Sequence, residues 1–228
     1  HPDALKRAGD EKRARFRALM GRTVSLGHPS AEAGRVYLAL RGLDWRRVPA
    51  GWRFINRLAY WVLDGKDGRG KDKYTKFGDF PALLAVFTDR NGQPCTIHRT
   101  YLAEGGFGAL ELPEEGLSSK KLQEVPDDQR LDGGAIRLFK PARFMGFSEG
   151  LESGLSGHQA TGLPVWPCFS DYFLREVEVP DVCEGFAIFA DFDKSKAGQL
   201  AAEALKARYP DRAVAIYTPD KFGLIGKS

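Results

Sequence analysis

The chain has 228 residues, of which 43% are hydrophobic and 28% charged, with a formal net charge of +4. That balance is typical of folded globular proteins and excludes a disordered acidic or basic tail. No apolar run approaches the roughly 20 residues that a membrane-spanning helix needs, and the basic opening stretch lacks the apolar core of a secretory leader. The three cysteines, Cys95, Cys168 and Cys183, follow no disulfide or zinc spacing, which points to a reducing, cytoplasmic setting. A chain that opens on His1 without a Met is expected to be a fragment or a processed product.

The spacing predicts a first helix over residues 3–20, with Lys6, Arg7, Lys12, Arg13, Arg15 and Arg17 on a solvated face. Gly27–Pro29 breaks the chain. Ser30 then stands where an N-cap is expected for a helix from Ala31 to about Arg41, which Gly42 ends. From Trp52 the pattern changes to short strands at 52–58, 60–63, 83–88 and 96–102. Asn91-Gly92 marks a hairpin between the last two, because Asn-Gly accepts positive φ. Asp64 to Gly78 is rich in Gly, Lys and Asp and reads as a mobile basic loop, and 103–134 reads as irregular. Trp52, Phe54, Tyr60 and Trp61 suit core packing better than base stacking.

From Arg143 strand and helix alternate. Strands are expected at 143–148, 164–169, 185–190 and 213–217, with helices over 151–160, 170–175 and 196–208. Such alternation implies a parallel sheet with right-handed crossovers. The fold class expected is α/β: a parallel C-terminal sheet flanked by helices in residues 143–228, after a mixed α+β, basic N-terminal part in residues 1–142.

Two of the buried strands end at acid: Glu149-Gly150 after the first, Asp191-Phe192-Asp193 after the third. The C-terminal edge of such a sheet is where open α/β folds build their sites. Singly, Glu149 would also suit the positive end of the helix over 151–160, and Asp193 or Ser195 would serve as N-cap of the helix over 196–208. Together, three carboxylates crowded at one edge point to a bound divalent cation, Mg²⁺ or Mn²⁺, and to phosphoryl transfer. A basic first half beside this cluster suits a polyanion held by one part and worked on by the other. No dinucleotide fingerprint or P-loop is present.

The fragment Glu149-Gly-Leu-Glu-Ser-Gly-Leu followed by Asp191-Phe-Asp193 resembles the Toprim signature, and within that set the bacterial-type DNA primases, above all phage and plasmid versions. Tyr37-Leu38-Ala-Leu-Arg41-Gly42-Leu43, Phe80-Pro81, Ile-His-Arg99-Thr-Tyr-Leu and Lys120-Lys121-Leu122 are similar to other stretches of the primase core. The resemblance implies a catalytic core that makes short RNA primers on single-stranded DNA from ribonucleoside triphosphates, with a replicative helicase as a further partner. It implies that Glu149, Asp191 and Asp193 hold Mg²⁺ or Mn²⁺, that Arg41, Arg99 and Lys121 bind nucleotide phosphates or template, and that Asp220 is an additional acidic residue. Here the Asp-x-Asp segment is followed by Lys-Ser-Lys-Ala-Gly, longer than the family's usual step into the next helix. A Toprim-type nuclease and a non-catalytic nucleic-acid-binding relative are the alternative readings.

Overall fold

The computed structural model describes residues 2–113, 116–191 and 196–218. Helix α1 (Pro2–Gly21) carries Phe16, Leu19 and Met20 at helical spacing, and they pack onto one face of an antiparallel sheet. Its basic side is not simply solvated, as expected from the charge pattern. Lys12, Arg13 and Arg15 pair with Asp127, Asp128 and Glu124, tying the helix to the irregular segment beyond the sheet.

A 3₁₀ turn (Pro29–Ala31) runs into α2 (Glu32–Leu40). Ser30 does not cap α2. His28 caps the turn instead, its Nδ1 accepting from the Ser30 amide at 3.2 Å, and α2 continues from Ala31 without a side-chain cap. Gly42 ends the helix as expected, at φ +70°.

The antiparallel sheet has the order β1 (Trp52–Lys66), β2 (Asp72–Thr88), β3 (Pro94–Tyr101), β4 (Lys120–Leu122). The β2–β3 turn holds Gly92 at φ +81°, as Asn-Gly predicts. The expected basic loop at 64–78 is instead the outer half of a long β1–β2 ribbon. Cross-strand pairs Lys66–Asp72 at 3.0 Å and Lys73–Asp64 at 3.0 Å, with the Thr75 hydroxyl also donating to Asp64, extend the ladder where no core supports it.

The second sheet is wholly parallel, in the order β6–β5–β7–β8. Its elements are β5 (Phe144–Ser148), α3 (Leu151–Thr161), β6 (Val165–Pro167), α4 (Asp171–Glu176), β7 (Gly185–Phe189), α5 (Ala197–Arg208) and β8 (Ala213–Tyr217). Ser170 caps α4 as expected, accepting from the Phe173 amide at 3.3 Å. The small residues of α3 allow a close approach to the sheet. A Cβ on Gly154 would meet Ser148 Oγ at 2.5 Å, and one on Gly157 would meet the Phe189 ring at 2.6 Å.

Three apolar clusters hold these layers. Ile55, Leu58, Tyr60, Leu84, Ile97 and Tyr101 face α1. The opposite face of the antiparallel sheet, through Phe54, Leu83, Ala85 and Phe87, meets α2 and also Leu151 and Leu155 of α3. The parallel sheet buries Met145, Phe147, Trp166, Phe186 and Ile188 against α4 and α5. Helix α3 therefore belongs to both sheets, and the acidic strand ends come to lie beside the antiparallel layer. Among the described residues no helix is long and apolar enough to cross a membrane.

Candidate metal centre and nucleic-acid groove

Strands β5 and β7 are hydrogen-bonded neighbours in parallel register, with Ser148 opposite Phe189, so Glu149 and Asp191 leave the same edge of the sheet. Glycines stand beside both carboxylates, and one of them, Gly198, makes room for Glu149. A Cβ on Gly198, in the first turn of α5, would lie 2.9 Å from Glu149 Oε2 and 3.3 Å from the Asp191 carbonyl oxygen. A Cβ on Gly150 would lie 3.6 Å from Asp191 Oδ2 and 3.9 Å from Glu152 Oε2. The cradle is lined by hard carboxylate oxygens, the donor type that Mg²⁺ and Mn²⁺ take, so the residues present fit such an ion. Asp193 and Asp220 lie outside the described residues. Among the described residues no set of three His, Cys, Asp or Glu side chains is grouped to hold an ion.

The first turn of α3 adds two residues that sequence reasoning passed over. Glu152 is partly buried, with its side chain 15% exposed. It accepts from the Tyr37 hydroxyl at 2.7 Å and from Lys120 Nζ at 2.9 Å. Burial alone would raise its pKa, yet the Lys120 charge and the two hydrogen bonds hold it below the usual carboxylate range. Burial and the facing carboxylate push the Tyr37 hydroxyl well above its ordinary value. The next residue, Ser153, donates to Asp191 Oδ1 at 2.5 Å. Both stand in the first turn of α3, directly after the acidic strand end, and that place could have drawn attention to them.

The three basic residues carried over from the resemblance do not share one surface. Arg41, at the end of α2, stacks over the Tyr37 ring at 4.4 Å, on the side that meets the parallel sheet. Arg99 and Lys121 face each other across β3 and β4 on the opposite side. Strand alternation sends Lys120 and His98 toward α3 and the parallel sheet, where His98 meets the Phe169 ring edge-on at 5.2 Å. Burial drives the His98 pKa down to about 3, so it is neutral at physiological pH. The structure thus brings Arg41 and Lys120 to the carboxylate side and leaves Arg99 and Lys121 behind the sheet.

Behind the sheet lies a groove of about 690 Å³ between α1, the root of the ribbon and β4. Arg22, Arg99 and Lys121 line it and are held by backbone carbonyls. Arg22 bonds to Arg57 O at 3.4 Å, Arg99 to Leu122 O at 2.7 Å and Lys121 to Trp61 O at 2.8 Å. Among the described residues none of the three is paired with a carboxylate within 4.0 Å. Arg99 Nε is buried without a protein acceptor. Burial and the neighbouring Arg99 lower the pKa of Lys121. Trp61 and Tyr74, 48% and 53% exposed, also line it, as do Asp79 and Glu124, whose carboxylates pair with Lys76 and Arg15. Trp52, Phe54 and Tyr60 are core residues, as expected, but Trp61 is not.

The overall fold matches those of solved primase cores. A structure of the DnaG primase catalytic domain bound to ssDNA superposes with a TM-score of 0.55 at 13% identity, covering 95% of this chain and 73% of that one. A DNA primase domain from Pseudomonas aeruginosa gives 0.53 at 14%, over 95% and 70%. The primase fragment of the bacteriophage T7 primase-helicase gives 0.50 at 14%, over 82% and 70%. At such identities the likeness is one of fold: a parallel sheet flanked by helices beside an antiparallel sheet, as in DnaG-type primase catalytic cores. A comparison with curated protein sequences gave no match. The family model described as a domain of unknown function (DUF7146) matches residues 10–125, from α1 through β4, and the chain belongs to that family.

Proposed function

We propose that this chain is a primase-type nucleotidyltransferase that makes short RNA primers on single-stranded DNA. The observation that carries the reading is the convergence of Glu149 and Asp191 at one sheet edge, where the missing Cβ of Gly198 leaves room for Glu149, within a DnaG-like fold. Glu149 and Asp191, with Asp193 added by the resemblance, would hold Mg²⁺ or Mn²⁺. When bound, such an ion supplies positive charge that favours ionisation of the attacking hydroxyl and departure of pyrophosphate. In the reaction the primer 3′-oxygen bonds to the α-phosphorus of a ribonucleoside triphosphate and the bond to pyrophosphate breaks.

The protein's own part is to orient and to hold. Arg41 and Lys120 stand on the carboxylate side, where a triphosphate would lie, and the groove behind the sheet suits a single strand. Its three carbonyl-held cations match phosphates, and Trp61 and Tyr74 offer faces for bases. Labour divides between residues 1–142, which grip nucleic acid, and 143–228, which carry the carboxylates. The T7 neighbour belongs to a primase-helicase, and a replicative helicase is the protein partner this reading predicts.

The test is primer synthesis on single-stranded templates with labelled ribonucleotides, with and without Mg²⁺ or Mn²⁺. The wild-type chain should elongate only with metal, and Asp191→Ala should fall to background while still binding single-stranded DNA. Full activity in Asp191→Ala would refute the assignment. Metal-dependent cleavage of DNA without nucleotides would mark a Toprim nuclease instead.

A further inference from the structure

Serine is a weaker helix former than alanine, because its hydroxyl competes for backbone hydrogen bonds. Ser153 occupies the first turn of α3, where its hydroxyl bonds a side chain from another element, Asp191 of the β7 edge. We infer that Ser153 is a positioning residue that fixes the Asp191 carboxylate for cation binding. This inference rests on the carboxylate reading given above.

Ser153 engages Oδ1 and so sets the rotation of the carboxylate. Oδ2 is left toward Gly150, at the mouth of the cradle, 3.6 Å from where a Cβ would stand. The neighbouring acid is already engaged elsewhere, since Tyr37 donates to one oxygen of Glu152 and Lys120 to the other. The first turn of α3 therefore presents one carboxylate that is spent on the antiparallel layer and one hydroxyl that serves the centre. Groups that orient metal-binding side chains in this way contribute about 10–100-fold to affinity.

The experiment is calorimetric titration of Mn²⁺ into the full chain, comparing wild type with Ser153→Ala and Ser153→Thr. The Ala variant should bind Mn²⁺ at least about tenfold more weakly. The Thr variant, which keeps the hydroxyl, should recover most of the loss. Each variant's metal-free thermal transition shows that it is folded. Equal affinity in Ala and wild type overturns the inference, and so does a Thr variant as weak as Ala with an unchanged metal-free transition. A wild-type chain that takes up no Mn²⁺ defeats the carboxylate reading itself, and the role of Ser153 with it.

Discussion

Replacing Tyr37 by Phe removes one hydroxyl from the hydrogen-bond set of a partly buried carboxylate and keeps the aromatic ring. In the wild type the Tyr37 hydroxyl donates to Glu152 Oε1 at 2.7 Å, and Lys120 satisfies the other oxygen at 2.9 Å. A hydrogen bond to a charged group is worth about 1.5–3 kcal/mol. In a protein of this size each kcal/mol moves the thermal midpoint by about 2–4 °C, so Tyr37→Phe should lower it by roughly 3–12 °C at pH 7. The pH dependence has a definite sign. The pKa of Glu152 is depressed in the folded chain, so its stabilising contribution is fully present above the ordinary carboxylate pKa. It is lost as pH falls through the lower folded value. The gap between wild type and Tyr37→Phe should therefore narrow in acid. Circular-dichroism melts at pH 7 and across pH 5 to 3 measure both, and a double-mutant cycle with Glu152→Gln should give a coupling of about 0.5–3 kcal/mol. A midpoint within 1 °C of wild type at pH 7 would refute the reasoning.

Gly198→Ala should raise the helix propensity of α5 by up to about 1 kcal/mol while crowding Glu149 Oε2, 2.9 Å from the new methyl. Primer synthesis is expected to fall with no loss of thermal stability, and a variant that keeps both would show that Glu149 has room to move. His98, neutral in the core with a pKa near 3, makes the fold lose stability as pH drops below the ordinary histidine value near 6.5. The slope should approach about 1.4 kcal/mol per pH unit, and urea titrations of His98→Gln between pH 6.5 and 4.5 should show it flattened. Lys121→Ala should weaken single-strand binding and reduce the log–log salt slope by about 0.7, read by fluorescence anisotropy; an unchanged slope would place the strand elsewhere.

Most of the parallel half was legible from local pattern. The apolar runs that end in Glu149 and Asp191 are buried strands, and the stripe Ala197, Leu200, Ala201, Ala204, Leu205 reads as α5, although Leu200 turns out to be 68% exposed and only the rest of the stripe faces inward. The ribbon was not legible, because its outer half has almost no apolar alternation. Charge pairs such as Lys73–Asp64 hold it, and these report no periodicity. The choice between Lys120 and Lys121 was beyond the sequence for a different reason. In a three-residue strand, a shift of one position exchanges the faces, and only the pairing of Arg99 with Lys121 decides which lysine looks toward α3. Glu152 stayed hidden because its partner Tyr37 stands 115 residues away. Asp193 and Asp220, both singled out by motif, lie outside the described residues.

Consecutive residues of α3 are fastened to different bodies: Glu152 to α2 and β4, Ser153 to the end of β7. Both side chains spring from the first turn of one helix, whose hydrogen-bonded backbone ties their Cα atoms together. Any rocking of the antiparallel layer against the parallel sheet would therefore act on α3 as a torque. Among the described residues the hydrogen bonds and ion pairs of the ribbon's outer half run within its own two strands. Loads applied at its tip can be taken up as local bending, whereas loads applied at β4 reach the carboxylates.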